Sequence, residues 1–194
     1  MSIDLEPAAR RTAAVVAGVT DDQLGRTTPC PDYTLGDLLE HVGGLAVAFR
    51  AAATKTGAEL GGAGPSGDAS RLPADWRTRI PEDLVAMAAA WKDPEAWTGM
   101  TEAGGVDLPG EVAGLVALDE LVIHGWDVAK ASGQAYDVDP AELEAVRGFV
   151  APMADAGPEE RAGLFGPPVA VSDDAPELDR IVGLTGRDPG WSVG

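Results

Sequence analysis

Apolar residues recur at helical spacing near the start of the chain. Leu5, Ala8, Ala9, Ala13, Val15, Val16 and Val19 predict a first helix over residues 4–18. Asp21-Asp22-Gln23-Leu24 reads as a short extra turn, and Thr28-Pro-Cys-Pro-Asp-Tyr as a tight loop stiffened by its prolines. A second helix begins at Thr34, whose hydroxyl suits an N-cap, with Asp37 where a capping-box acid belongs. Its buried stripe is Leu35, Leu38, Leu39, Val42, Leu45, Ala46 and Phe49, it runs to about Ala53, and His41 borders the stripe.

Residues 55–80 break the period. They are rich in Gly, Ala, Pro and Ser, and read as a crossover longer than most loops, hence functional or disordered. A third helix follows with Pro81 in its first turn and Leu84, Val85, Met87, Ala88 and Trp91 inside, and Asp93-Pro94 ends it. Trp97 to Gly110 is either a small hairpin or an irregular loop. The fourth helix runs from about Gly110 to Ser132, is strongly apolar, and closes at Gly133. A fifth, Pro140 to about Met153, starts from Asp139 as N-cap. The tail from Gly157 ends in a short helix near Pro176–Leu184 and either completes a pocket or covers the core. The pattern predicts an all-α chain forming one domain over residues 1–194. The architecture is a four-helix bundle with a long crossover, plus short irregular or strand segments.

Charge narrows the partners. Thirty-two acidic residues against 14 basic ones give a formal net charge of -18. Long-range repulsion then argues against nucleic acid and anionic lipid as partners, and an anionic ligand needs a local positive centre such as a divalent metal. No uncharged run reaches the ~18 residues of a membrane span. The start, Met-Ser-Ile-Asp-Leu-Glu-Pro, lacks the basic and apolar regions of a secretory signal, and a single cysteine fits a reducing compartment. A cytoplasmic location is expected; the oligomeric state is not legible.

The chain has two histidines. Glu120 and His124 stand one helical turn apart, so their side chains project together. With His41 on another helix they form a candidate two-histidine, one-carboxylate metal site. The competing reading is an ion pair on a solvated helix face. Asp127 lies three residues past His124 on nearly the same face, placed to orient a ligand histidine or relay a proton, or else to cap a nearby loop. Trp126 points elsewhere and reads as core. Cys30 is first a small buried hydrophobe, with a fourth metal ligand, a nucleophile or a redox handle as alternatives. Arg71, Arg77 and Arg79 in the crossover are solvent-facing by default, or else meet the carboxylates of a polar cofactor. No glycine-rich nucleotide loop, Gly-x-Ser-x-Gly or His-Glu-x-x-His occurs.

Thr28-Pro-Cys-Pro-Asp-Tyr-Thr-Leu-Gly-Asp-Leu-Leu-Glu-His41 resembles the opening of the mycothiol-dependent maleylpyruvate isomerase N-terminal-domain family. Leu118-Asp-Glu-Leu-Val-Ile-His-Gly-Trp-Asp-Val-Ala resembles that family's second motif. The ending Leu164-Phe-Gly-Pro-Pro-Val with Asp173-Asp-Ala-Pro is similar to actinobacterial metal-binding members. The resemblance implies a DinB-like bundle in which His41, Glu120 and His124 hold a divalent metal, usually zinc. It also implies a low-molecular-weight thiol such as mycothiol as co-substrate. The isomerases carry a further C-terminal domain that a chain of 194 residues is not expected to contain, which leaves the isomerase reaction open. The function expected is thiol-dependent S-transfer or isomerisation on a small-molecule substrate. The rivals are a metal-dependent hydrolase with Asp127 as base and a non-enzymatic metal-binding or regulatory protein with Cys30 closing the site.

Overall fold

The structure, a computed structural model, describes residues 2–60, 64, 66–161 and 164–193. It is mostly helical, with one two-stranded sheet. Helix α1 spans Glu6–Ala17, α2 Leu35–Ala53, and a short α3 Gly57–Leu60, with α4 at Trp76–Ala90. Strands β1 (Met100–Ala103) and β2 (Val106–Pro109) precede α5 (Gly110–Ser132), α6 (Pro140–Ala154), a short α7 (Pro158–Arg161) and α8 (Glu177–Leu184). Among the described residues no helix is long and apolar enough to cross a membrane.

Helices α1, α2, α4 and α5 pack most closely on one another, and α6 and α8 add Val146, Val150, Ile181 and Val182 to the same core. α1 packs on α4 and α5, and α2 packs on the same two, so α2 and α5 lie side by side. The stripes read from the sequence explain this closure: Leu35, Leu38, Leu39, Val42, Ala46 and Phe49 of α2 are buried, as are Ala8, Ala9, Val15 and Val16 of α1. Trp91, at the end of α4, donates its indole N–H to the Phe49 carbonyl of α2 at 3.0 Å, which locks the two helices where the core ends. α5 is buried nearly all round because α1, α2, α6 and the hairpin all cover it, as expected for a helix apolar on every face.

Two expectations are refined. The third long helix starts at Trp76, five residues before Pro81, which sits inside it. Proline removes one backbone hydrogen bond and costs about 3 kcal/mol in a helix interior. The extra turn buries Trp76 and Ile80, four residues apart on the inner face, which offsets that loss. The stretch Trp97 to Gly110 resolves as a hairpin: Gly104 and Gly105 both take positive φ, 59° and 79°, as a two-residue turn of this twist requires. Of the glycine-rich centre of the predicted crossover, residues 61–63 and 65 lie outside the described residues.

The tail folds back over α5 and α6. Arg161 is buried, and its guanidinium bonds the carbonyls of Met153, Gly166 and Leu184, while Val169 N–H meets the Gly183 carbonyl. Lys130, near the end of α5, reaches the Pro189 carbonyl at 2.9 Å. These ties bring residues 164–167 and 185–187 over the side of α5 that carries Glu120 and His124.

Candidate metal centre

Each side chain of the site is placed by a local device. The Thr34 hydroxyl accepts from Asp37 N–H while the Asp37 carboxylate accepts from Thr34 N–H, which fixes the start of α2 and puts His41 on its second turn. The loop before it is closed by Thr28, whose hydroxyl donates to the carbonyls of Cys30 and Tyr33 at 2.8 and 2.9 Å. That closure sets the Tyr33 ring 5.2 Å from the His41 ring. Across the α2–α5 seam the His41 and His124 rings meet edge to face, centroids 5.0 Å apart.

His124 is held at both nitrogens. Its Nδ1 pairs with Asp127 Oδ2 at 3.0 Å and its Nε2 with Glu120 Oε2 at 3.0 Å. Asp127 is fully buried and Arg187 grips it from the tail: Nε lies 3.2 Å from both carboxylate oxygens and Nη2 3.0 Å from Oδ2. Burial alone would lower the pKa of His124, but the hydrogen bonds to Asp127 and Glu120 outweigh it and raise the value to about 9. At Glu120 burial is outweighed by the pairing with His124, and at Asp127 by Arg187 and then His124. Both carboxyls therefore ionise below their ordinary range. A protonated His124 ring donates one N–H to each of the two carboxylates.

One donor atom each from His41, Glu120 and His124 lies within 4.8 Å of the others, a group able to hold a metal ion. Ligand–zinc lengths of about 2.0–2.1 Å at tetrahedral angles put donors about 3.4 Å apart. Glu120 Oε2 and His124 Nε2, 3.0 Å apart, are already near that spacing. Two imidazoles and one carboxylate suit zinc, and the Asp127 contact fixes the ring so that Nε2 faces the cluster. A bound dication would displace the His124 proton.

The cluster forms one wall of a cavity of about 650 Å³. Pro29, Cys30 and Tyr33 of the loop line it, as do Phe165 and Thr185–Arg187 of the tail, so the tail completes a pocket. Cys30 faces the same cavity but is not one of the clustered donors; burial, then the Asp127 charge, pushes its thiol up to about 11. It is half-buried at the cavity wall rather than fully buried in the core. The crossover arginines point elsewhere. Arg71 pairs with Glu40, Arg77 with Asp21 and Arg79 with Asp83, none of them in the cavity. Trp126 is core, as expected.

Two residues of the site were not singled out from the sequence. Arg187 lies 60 residues from its partner Asp127, and nothing local in Thr-Gly-Arg-Asp-Pro marks it. Asp119 is 5% exposed, lines the cavity, and its Oδ1 has no hydrogen-bond partner among the described residues. A carboxyl inside an apolar helix is its only signal in the sequence.

A helical scaffold with a two-histidine, one-carboxylate cluster at the seam of two facing helices is an arrangement able to hold a metal. The chain belongs to the mycothiol maleylpyruvate isomerase N-terminal domain family, whose model matches residues 5–129 and so spans His41, Glu120, His124 and Asp127. It is also 35% identical over 190 residues to two proteins of Mycobacterium tuberculosis, the uncharacterized proteins Rv0738 and MT0763. Each alignment covers 90% of this chain and 91% of the relative. No solved structure matches.

Proposed function

We propose that this chain is a divalent-metal protein, with zinc as the favoured ion, that uses a low-molecular-weight thiol such as mycothiol in S-transfer or isomerisation of a small substrate. In this reading it is one domain, a DinB-like four-helix bundle working in the cytoplasm, and His41, Glu120 and His124 hold the metal. The observation that carries the reading is the convergence of those three donors on the wall of a cavity large enough for a ligand. When bound, the metal supplies a Lewis acid that lowers the pKa of a thiol, giving a nucleophile at neutral pH.

The protein's own groups do the rest. Glu120 and two neutral imidazoles leave a dication with a formal charge of +1, which favours an anion such as a thiolate in the open position. Asp127 keeps the His124 ring in one orientation, and Arg187 keeps Asp127 ionised. Hydrolysis is disfavoured by a specific contact. Asp127, the base it would need, has both oxygens occupied by Arg187 and one also by His124.

Elemental analysis of untagged protein prepared without chelator tests the reading, beside His41→Ala and His124→Ala. About one divalent metal per chain, lost in both variants, is expected. Unchanged metal content in both variants would overturn the site.

A further inference from the structure

The cavity has two kinds of wall. Its charged and ligating side chains, His41, Glu120 and His124 among them, come from α2, α5, the loop before α2 and Arg187. The tail stretch Leu164-Phe-Gly-Pro167 lines the same cavity and brings no charge. It lies outside residues 5–129, the part of the chain matched by the family model. Leu164 is 52% exposed, and among the described residues it is the one exposed large apolar side chain that lines this cavity. A hydrocarbon group that covers it takes apolar surface of both partners out of water, worth about fourfold in affinity per fully buried methylene.

The tail wall is held in place. Leu164 and Phe165 both donate their N–H to the Arg161 carbonyl at 3.0 Å, and the Phe165 ring meets Phe149 edge to face, centroids 6.3 Å apart. Gly166 lies against Gly186 so closely that a Cβ on Gly186 would stand 2.8 Å from the Gly166 Cα. Gly186 precedes Arg187, which grips Asp127, which in turn orients His124. The apolar stretch is thereby tied to the same histidine that belongs to the metal cluster. The cavity, at about 650 Å³, has room for a ligand that reaches from one wall to the other.

We propose that Leu164 is a specificity residue, and that the small substrate that meets the thiol carries an apolar hydrocarbon group seated on the Leu164–Phe165 wall. This rests on the thiol reading for the substrate's partner, but the apolar subsite stands on its own geometry.

The test is an NMR titration of the metal-loaded protein with 1-propanol, 1-butanol, 1-pentanol and 1-hexanol, with and without saturating 2-mercaptoethanol. Affinity is expected to rise about two- to fourfold per added methylene, fourfold marking complete burial. The amides of Leu164, Phe165, Gly166 and Gly186 should shift most. Leu164→Ser, at a half-exposed position outside the core, should weaken 1-hexanol by about threefold or more and 1-propanol by less than about twofold. Val47→Ser removes another exposed apolar side chain, one that does not line the cavity, and should leave both unchanged. An affinity that does not rise with chain length overturns the proposal, and needs no variant to fold. So does 1-hexanol binding indifferent to Leu164→Ser, or shifts centred on the apolar groove of Ala14, Val85 and Ala89 between α1 and α4. Should elemental analysis find no metal, the thiol reading fails, while the alcohol series without thiol still decides the apolar subsite.

Discussion

Helix α5 carries two buried polar clusters on different sides, and they are built differently. On the side facing α1, the Thr12 hydroxyl donates to the Leu121 carbonyl at 2.8 Å and the Tyr136 hydroxyl to the same carbonyl at 3.1 Å. Gly125 permits this approach: a Cβ there would stand 2.3 Å from the Tyr136 hydroxyl oxygen and 2.7 Å from Thr12 Oγ1. That cluster is satisfied and packed shut. On the other side, His124, Asp127 and Arg187 are equally tightly bonded among themselves but border a cavity. A closed knot of neutral hydroxyls positions helices. A charged cluster beside a cavity can also meet a group that arrives from outside.

The comparison breaks most sharply at Arg187. Arg187→Met strips Asp127 of its cation while leaving it buried, and is expected to cost about 3–5 kcal/mol of stability and on the order of tenfold in metal affinity. Denaturant unfolding and a competition titration with a chromophoric chelator read the two effects. A stable variant with native metal affinity would show that the tail contact is ornamental to the site. Gly125→Ala strikes the closed side: the methyl forces Tyr136 and Thr12 apart, for an expected loss of about 1–3 kcal/mol, with metal stoichiometry unchanged. Loss of metal in this variant would mean that the two sides are coupled through α5. The smallest effect concerns Cys30. Its thiol is raised to about 11, so deprotonation is unfavourable at neutral pH and alkylation by iodoacetamide is slow. The rate should climb about tenfold per pH unit from 8 to 10, where an ordinary thiol with pKa about 8.5 levels off. A plateau by pH 9 would place Cys30 in a wetter setting than the cavity wall.

How much of this could be read from the chain differs by region. The stripes of α1, α2 and α5, the capping box at Thr34 and the spacing of Glu120, His124 and Asp127 are local properties, fixed by the 3.6-residue period, and all were visible. That His41 faces Glu120 and His124 depends on α2 and α5 packing side by side; periodicity supplies the faces but not the neighbour. Asp119 was hidden because α5 is apolar on every side, so a buried acid there looked no different from one at an edge. Pro81 misled for a physical reason: its local cost marks a helix start, and only the burial of Trp76 and Ile80 reverses that preference.

The hold of Arg187 on Asp127 has a consequence for how the molecule comes into being. During synthesis His41, Glu120 and His124 leave the ribosome well before the tail, and α1, α2, α4 and α5 can pack as soon as α5 is complete. Until residue 187 follows, Asp127 has no guanidinium, and a buried anion against His124 is then at its most costly. The nascent chain therefore passes through a stage with its helices assembled and its site unfinished, until the segment that carries Arg187 is made and sets the histidine.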